Sequence, residues 1–231
     1  YKQSDSLHFS SPKKINFEDY CDDGSALIHD VNDDGFLDVI SYSLYNLRVS
    51  INDGTGSFTD STLNLDTYIT PRKMFMKDFN GDLIDDVIIV DNDEIYGFPY
   101  LGGVSYGEEV SLGDYGTFKG IDMADMDGDG DNDIVGAKGS GSGWIFWIEN
   151  LGDGVFDDIN YYETTSYPKD IFLRDIDADS DIDIVYHKDN DLYWYENVGD
   201  WTFLSVTLLI SNIPSYAGYT VVKDMNDDGL E

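Results

Sequence analysis

Apolar residues in this chain come in short spaced sets, not in helical stripes. Two apolar residues, two positions apart, precede a nine-residue polar stretch: Ala26 and Ile28, Met74 and Met76, Ile121 and Met123, Ile171 and Leu173, with Val222 in a fifth copy. A β-branched pair follows each complete stretch: Val39-Ile40, Val87-Ile88, Ile134-Val135 and Ile184-Val185. Such runs on either side of a polar loop read as two strands joined by that loop. A second signal lies downstream, at Asn52–Phe58, Asn150–Phe156 and Asn197–Phe203. Its Asn and Gly residues mark tight hairpin turns. Trp144–Glu149 and Leu192–Glu196 are the strands that lead into two of them. Tyr96–Gly107 takes the place of this turn in the second copy. No segment has the pattern of a long amphipathic helix.

The polar stretches are copies of one another. Asp30–Asp38, Asp78–Asp86, Asp125–Asp133 and Asp175–Asp183 all fit D-x-[DN]-x-D-x-x-x-D, and Asp224–Glu231 fits as far as it goes. Their starts are 48, 47, 50 and 49 residues apart. Four strands per unit at this period predict an all-β chain, a β-propeller of four-stranded antiparallel blades. A β-helix rung is shorter than this, and separate β modules need linkers. The units fall at about 21–68, 69–116, 117–165 and 166–214, with partial units at 1–20 and 215–231, and 1–231 reads as a single propeller domain. His8–Phe17 resembles the last strand of a unit. About five blades are represented. Seven units of this length need roughly 340 residues, and the chain opens at Tyr1 without Met, so the expectation is a processed chain or part of a longer one.

Charge sharpens this picture. The 231 residues carry a formal net charge of −34, and 39 of the 47 acidic residues are Asp. That balance disfavours nucleic acid and anionic lipid as partners. With 41% hydrophobic residues the chain is too apolar for an acidic disordered tail. No apolar run is long enough to insert in a membrane, and Cys21 has no second cysteine to pair with.

Clustered carboxylates in a short loop repel one another unless a cation neutralises them. The loops hold only oxygen donors, which select a hard ion, and several ligands on a flexible loop favour Ca²⁺ over Mg²⁺. Positions 1, 3 and 5 can turn side chains inward, position 7 can offer its carbonyl, and position 9 returns a carboxylate from the next strand. An EF-hand needs Glu at position 12 and flanking helices. Position 12 here is Ser41, Ile89, Gly136 or Tyr186, and the flanks are strand-like. The residue before each loop, His29, Lys77, Ala124, Arg174 or Lys223, reads as local charge compensation or as an exposed strand end.

The loop, its apolar sequel and the W-x-E-N-x-G-x-G-x-F turn together resemble the FG-GAP/VCBS repeat of integrin α-subunit propellers and secreted bacterial proteins. The resemblance implies a bladed propeller, Ca²⁺ in the loop between the first two strands of each blade, and a secreted, extracellular or cell-surface location. Carried onto this sequence, it implies side-chain ligands Asp30, Asn32, Asp34 and Asp38; Asp78, Asn80, Asp82 and Asp86; Asp125, Asp127, Asp129 and Asp133; Asp175, Asp177, Asp179 and Asp183. The implied backbone ligands are Phe36, Ile84, Asp131 and Asp181. Asp224, Asn226 and Asp228 match an incomplete fifth site, giving about four complete Ca²⁺ sites. Position 6, usually Gly because positive φ is cheap there, is Leu83 in the second loop and Ser180 in the fourth, which marks the second loop as the weakest match.

Catalytic signals are sparse. His8, His29 and His187 are the neutral-pH base candidates, and His187 stands where other repeats carry Tyr42, Val90 and Ala137. Cys21 precedes two Asp residues, which hold its thiol protonated. The expected function is non-catalytic: adhesion, or recognition of a glycan or extracellular protein at the cell surface. The alternatives are the propeller of a secreted polysaccharide-active enzyme and a structural subunit of a surface assembly, with further blades or domains of the same chain as partners. Trp147 and Trp194 share one repeat position with Val49 and read as blade-to-blade packing. Trp201 replaces a turn Gly (compare Gly56 and Gly154) and is expected to be exposed, a candidate ligand-binding residue. Gly139–Gly143 reads as a flexible insertion and a candidate contact loop.

Overall fold

The computed structural model describes residues 25–43, 45–65, 68–140, 142–164 and 168–213. The strands are β1 (Ser25–His29), β2 (Asp38–Ser43), β3 (Asn46–Asn52), β4 (Phe58–Asn64), β5 (Lys73–Lys77), β6 (Asp86–Val90), β7 (Glu94–Phe98), β8 (Tyr100–Gly102), β9 (Ser105–Tyr106), β10 (Val110–Asp114), β11 (Phe118–Ala124), β12 (Asp133–Ser140), β13 (Ser142–Ile148), β14 (Asn160–Thr164), β15 (Pro168–Arg174), β16 (Asp183–Lys188), β17 (Asp191–Tyr195) and β18 (Thr207–Ile210). They form four antiparallel four-stranded sheets, β1-β2-β3-β4, β5-β6-β7-β10, β11-β12-β13-β14 and β15-β16-β17-β18, plus the β8-β9 ribbon. These are propeller blades, and the acidic loops join the first two strands of each.

The core lies between blades, which explains the β-branched pairs. A strand buried on both faces needs apolar residues at successive positions, one for each neighbour. In β6, Val87 and Ile89 pack towards the first blade, with Ile40, Tyr42 and Val49. Ile88 and Val90 pack towards the third, with Phe118, Ile121 and Phe146. In β12, Ile134 joins that second cluster, whereas Val135 turns to Ile171, Leu173 and Ile184 of the fourth blade. Two glycines set the spacing. An added Cβ on Gly120 would stand 2.6 Å from the Asp170 Cα, so β11 and β15 meet backbone to backbone. At Gly97 the missing side chain is replaced by the Phe79 ring, 2.7 Å from where a Cβ would be.

Two segments take on definite shape. In the β12-β13 ladder Gly139 stands opposite Gly143 and Ser140 opposite Ser142, so these four residues extend a hairpin. Gly141 lies outside the described residues. Tyr96–Gly107 holds the end of β7 and the β8-β9 ribbon, whose Tyr106 is buried in the core between the first two blades. The fifth acidic loop with Asp224, Asn226 and Asp228, the His8–Phe17 strand, His8 and Cys21 lie outside the described residues. Among the described residues no helix is long and apolar enough to cross a membrane.

Candidate metal centre

All four described loops share one backbone path. Positions 4 and 6 have left-handed φ throughout: Asp33 (59°) and Gly35 (86°), Gly81 (77°) and Leu83 (68°), Gly128 (83°) and Gly130 (101°), Ala178 (63°) and Ser180 (81°). Leu83 and Ser180 therefore keep the loop, at roughly 1–2 kcal/mol of backbone strain each. Leu83 is 90% exposed, so its side chain makes no claim on the loop interior.

The carboxylates are held by backbone N–H groups in a repeated ladder. Position 1 accepts from the N–H of position 6: Gly35 to Asp30 (2.8 Å), Leu83 to Asp78 (2.7 Å), Gly130 to Asp125 (3.0 Å) and Ser180 to Asp175 (3.0 Å). The position-3 oxygen of Asn32, Asn80 and Asp127 accepts from the N–H of position 5. The position-5 residues Asp34, Asp82, Asp129 and Asp179 accept at 2.9 Å from the N–H groups of Phe36, Ile84, Asp131 and Asp181. Each loop thus gathers acceptor oxygens on one turn of chain.

Position 9 does more than the sequence reading gave it. Asp38, Asp86, Asp133 and Asp183 are fully buried. One oxygen accepts from the N–H of loop position 2: Val31 (3.0 Å), Phe79 (3.5 Å), Met126 (2.9 Å) and Ile176 (3.0 Å). The other accepts from an N–H at the end of the third strand or two residues beyond it: Asn52 (2.8 Å), Tyr100 (2.7 Å), Asn150 (2.8 Å) and Asn197 (2.8 Å). A carboxylate offers about four lone-pair sites, so this clamp leaves capacity for a cation. Burial, with the loop carboxylates adding to it, pushes Asp133 up to about 7 and Asp86 and Asp183 up to about 6.

In the third and fourth loops the acids converge tightly. Asp125, Asp127 and Asp133 present oxygens within 4.8 Å of one another, as do Asp175, Asp177 and Asp183. These two triads can hold a metal ion. The donor set is all oxygen and fits a hard cation. The first two loops have Asn at position 3, and in the first its amide bonds to Asp34 (3.1 Å).

The turn asparagines, legible in the sequence only as turn formers, also join neighbouring blades. Asn150 donates its amide to the Phe79 carbonyl in the preceding blade (3.0 Å) and to its own Asn132 carbonyl (3.2 Å). Asn197 repeats this with Met126 (2.8 Å) and Ile182 (3.0 Å). Their recurrence at the head of each N-x-G turn was the available signal. Tyr100 breaks the series, and the β8-β9 ribbon takes over that joint.

Trp201 corrects an expectation. It is half-buried, stacks on Trp147 of the third blade (5.7 Å, 20°), and its indole nitrogen is buried. The blade-packing reading of Trp147 is thereby met. Two of the residues before the loops lie beside acids outside their own loop: His29 is 3.7 Å from Asp85, and Arg174 is 3.6 Å from Asp122. His187 has its Nε2 buried.

No curated protein matches the chain. Among solved structures it is similar to a lectin of Agrocybe aegerita described for specific recognition of non-reducing terminal N-acetylglucosamine, with 22% identity and a TM-score of 0.64 over 82% of this chain and 52% of that one. The chain thus spans about half the length of the lectin, and the likeness is one of fold. A chain of the Photorhabdus luminescens Tc holotoxin pore matches at 13% identity and a TM-score of 0.48, over 79% of this chain and 9% of that one. The FG-GAP-like repeat matches residues 30–89 and 125–186, each span opening on the first Asp of an acidic loop. With its repeated loops, blades and turns, the chain belongs to the FG-GAP-like repeat family.

Proposed function

We propose that this chain is a Ca²⁺-stabilised propeller domain that works outside the cell as a recognition module for a glycan or protein, without chemical turnover. The observation that carries it is the shared loop architecture, with three or four acceptor side chains per loop held by backbone N–H groups on one path. In this reading Asp30, Asn32, Asp34 and Asp38 and their counterparts at the same positions of the next three loops hold the ions. The ion removes the carboxylate repulsion and ties the first strand of a blade to the second. Millimolar Ca²⁺ outside the cell suits modest sites of this kind, which supports an extracellular setting.

Glycan recognition is the leading ligand class. The similar lectin supports it, and so do exposed aromatic rings, on which sugar faces stack. Tyr45 and Tyr68 form an exposed edge-on pair at 5.2 Å. A glycan array probed in Ca²⁺ and in chelator tests the proposal, with terminal N-acetylglucosamine as the first comparison. Binding that needs Ca²⁺ is the expected result. Shortened polysaccharide products would overturn it in favour of an enzyme, and silence on both would favour a structural subunit.

A further inference from the structure

We propose that Asn132 and Asn150 couple the second and third metal loops, so that filling either loop raises the affinity of the other. This rests on the metal reading above and adds to it how the sites regulate one another.

The two loops share a hydrogen-bonded joint. Asn150 donates its backbone N–H to Asp133, the ninth residue of the third loop (2.8 Å), and its side-chain amide to the Phe79 carbonyl in the second (3.0 Å). Asn132, the residue before Asp133, donates its own amide to the Asp78 carbonyl (2.8 Å). Asp78 and Phe79 are the first two residues of the second loop. Asn150 is fully buried, so solvent does not stand in for its donors. The loops also touch directly. A Cβ on Gly81 of the second loop would stand 3.0 Å from the Asp131 Oδ1 of the third.

The joint ties what a cation fixes in one loop to what it needs in the other. Crowded carboxylates push a loop off its path unless a cation holds them. Fixing Asp133 fixes Asn150 through its N–H, and Asn132 through the chain. Both then hold the Asp78 and Phe79 carbonyls on the path of the second loop. Order imposed on one loop is already present in the next, so the second binding event loses less entropy. Linkage makes the effect reciprocal. Charge alone predicts the opposite sign, because a cation in one loop weakens the negative field at the other. The joints are also graded. Between the third and fourth loops only the Asn197 amide reaches across, to Met126 (2.8 Å), and Ile182 stands in the place of Asn132. Between the first and second loops Tyr100 replaces the turn asparagine and Asp85 replaces Asn132, and neither has a side-chain amide to donate. Coupling should therefore be strongest between the second and third loops and least between the first and second.

The test is a Ca²⁺ titration of the full chain followed by amide NMR. Each loop is read through the N–H of its sixth residue: Gly35, Leu83, Gly130 and Ser180. Asp129→Asn weakens the third loop and leaves the donors of the joint in place. It should raise the Ca²⁺ midpoint of Leu83 about fivefold or more, raise that of Ser180 less, and leave that of Gly35 where it is. Asn132→Ile puts at position 8 the residue type that the fourth loop carries as Ile182. In that background Asp129→Asn should move the Leu83 midpoint less, and an undiminished shift would overturn the proposal. A Leu83 midpoint that stays or falls with Asp129→Asn alone would overturn it too. So would equal shifts at Gly35, Leu83 and Ser180, because a general loss of stability behaves that way. Should Asn132→Ile not fold, Asp129→Asn still decides by its ranking of the three loops. Wild-type amides that respond to Ca²⁺ in none of the loops would overturn the metal reading, and this proposal with it.

Discussion

The side-chain amide of Asn197 donates to the carbonyl of Met126, 2.8 Å away in the neighbouring blade. It also holds the Ile182 carbonyl, while its own oxygen accepts from Gly199 N–H (3.1 Å). One fully buried amide therefore ties its own turn, its own loop and the loop before it. Asn197→Ala would leave two carbonyls buried without that donor. A loss of roughly 2–4 kcal/mol is expected, read as a lower denaturation midpoint with little change in denaturant slope. A loss within about 0.5 kcal/mol, as at ordinary surface sites, would remove the staple from the account.

Asp133 and Asp129 separate the clamp from the ligand. Asp133 uses both oxygens on backbone N–H groups, so Asn in its place turns an amide nitrogen towards one of them. Asp133→Asn should lower Tm in chelator as well as in Ca²⁺, by roughly 1–3 kcal/mol of stability. Asp129 accepts one N–H, from Asp131, and an amide oxygen can still do that. Asp129→Asn should leave Tm in chelator unchanged or higher, since repulsion falls, and should cut the gain from Ca²⁺. Identical behaviour of the two variants would contradict this division.

Glycine substitutions test the blade spacing. Ala at Gly120 meets the backbone of Asp170 and Ile171, both at 2.6 Å. Neither can move without parting β11 from β15, and a cost of about 1–3 kcal/mol or more is expected. Ala at Gly35 meets nothing within 4 Å and faces only its positive φ. That cost should be about 1 kcal/mol. Melting curves of the pair in chelator provide the comparison, and a costlier Gly35→Ala would contradict it.

Much of this was legible in the sequence. The 48, 47 and 50 residue spacings and the paired β-branched residues placed the four described loops and the first two strands of their blades correctly, because they follow from burial on two faces. The positions of the acids were also legible. The clamp role of Asp133 and the reach of Asn197 were not, since both depend on which N–H and carbonyl groups a neighbouring blade brings near. Trp201 misled because a turn position predicts exposure only when nothing packs across it. Here Trp147 does, and no local pattern in the sequence records a contact more than fifty residues away.

Acidity should act with opposite sign in the two metal states. Burial raises Asp133 to about 7 and Asp86 and Asp183 to about 6 in the folded chain, against roughly 3.9 when unfolded. The folded state therefore binds protons more tightly between about pH 4 and 7. In chelator this contribution to stability is fully present below the unfolded value and fades as pH rises through 6 to 7. Tm without metal should thus rise on going from pH 8 to pH 5. In Ca²⁺ protons compete with the ion, and the gain from metal should fall over the same range. Melting across that range with and without Ca²⁺ checks both signs, and parallel curves would contradict them.

The most direct test of the central claim is Tm as a function of free Ca²⁺ in the wild-type chain, starting from chelator. A site filled at 100 times its Kd adds about 2.7 kcal/mol. With several such loops, Tm should climb by many degrees and keep rising with the logarithm of Ca²⁺ after the sites fill. A Tm unchanged from chelator to millimolar Ca²⁺ would show that the repeated loops are self-sufficient acidic turns and would contradict the account.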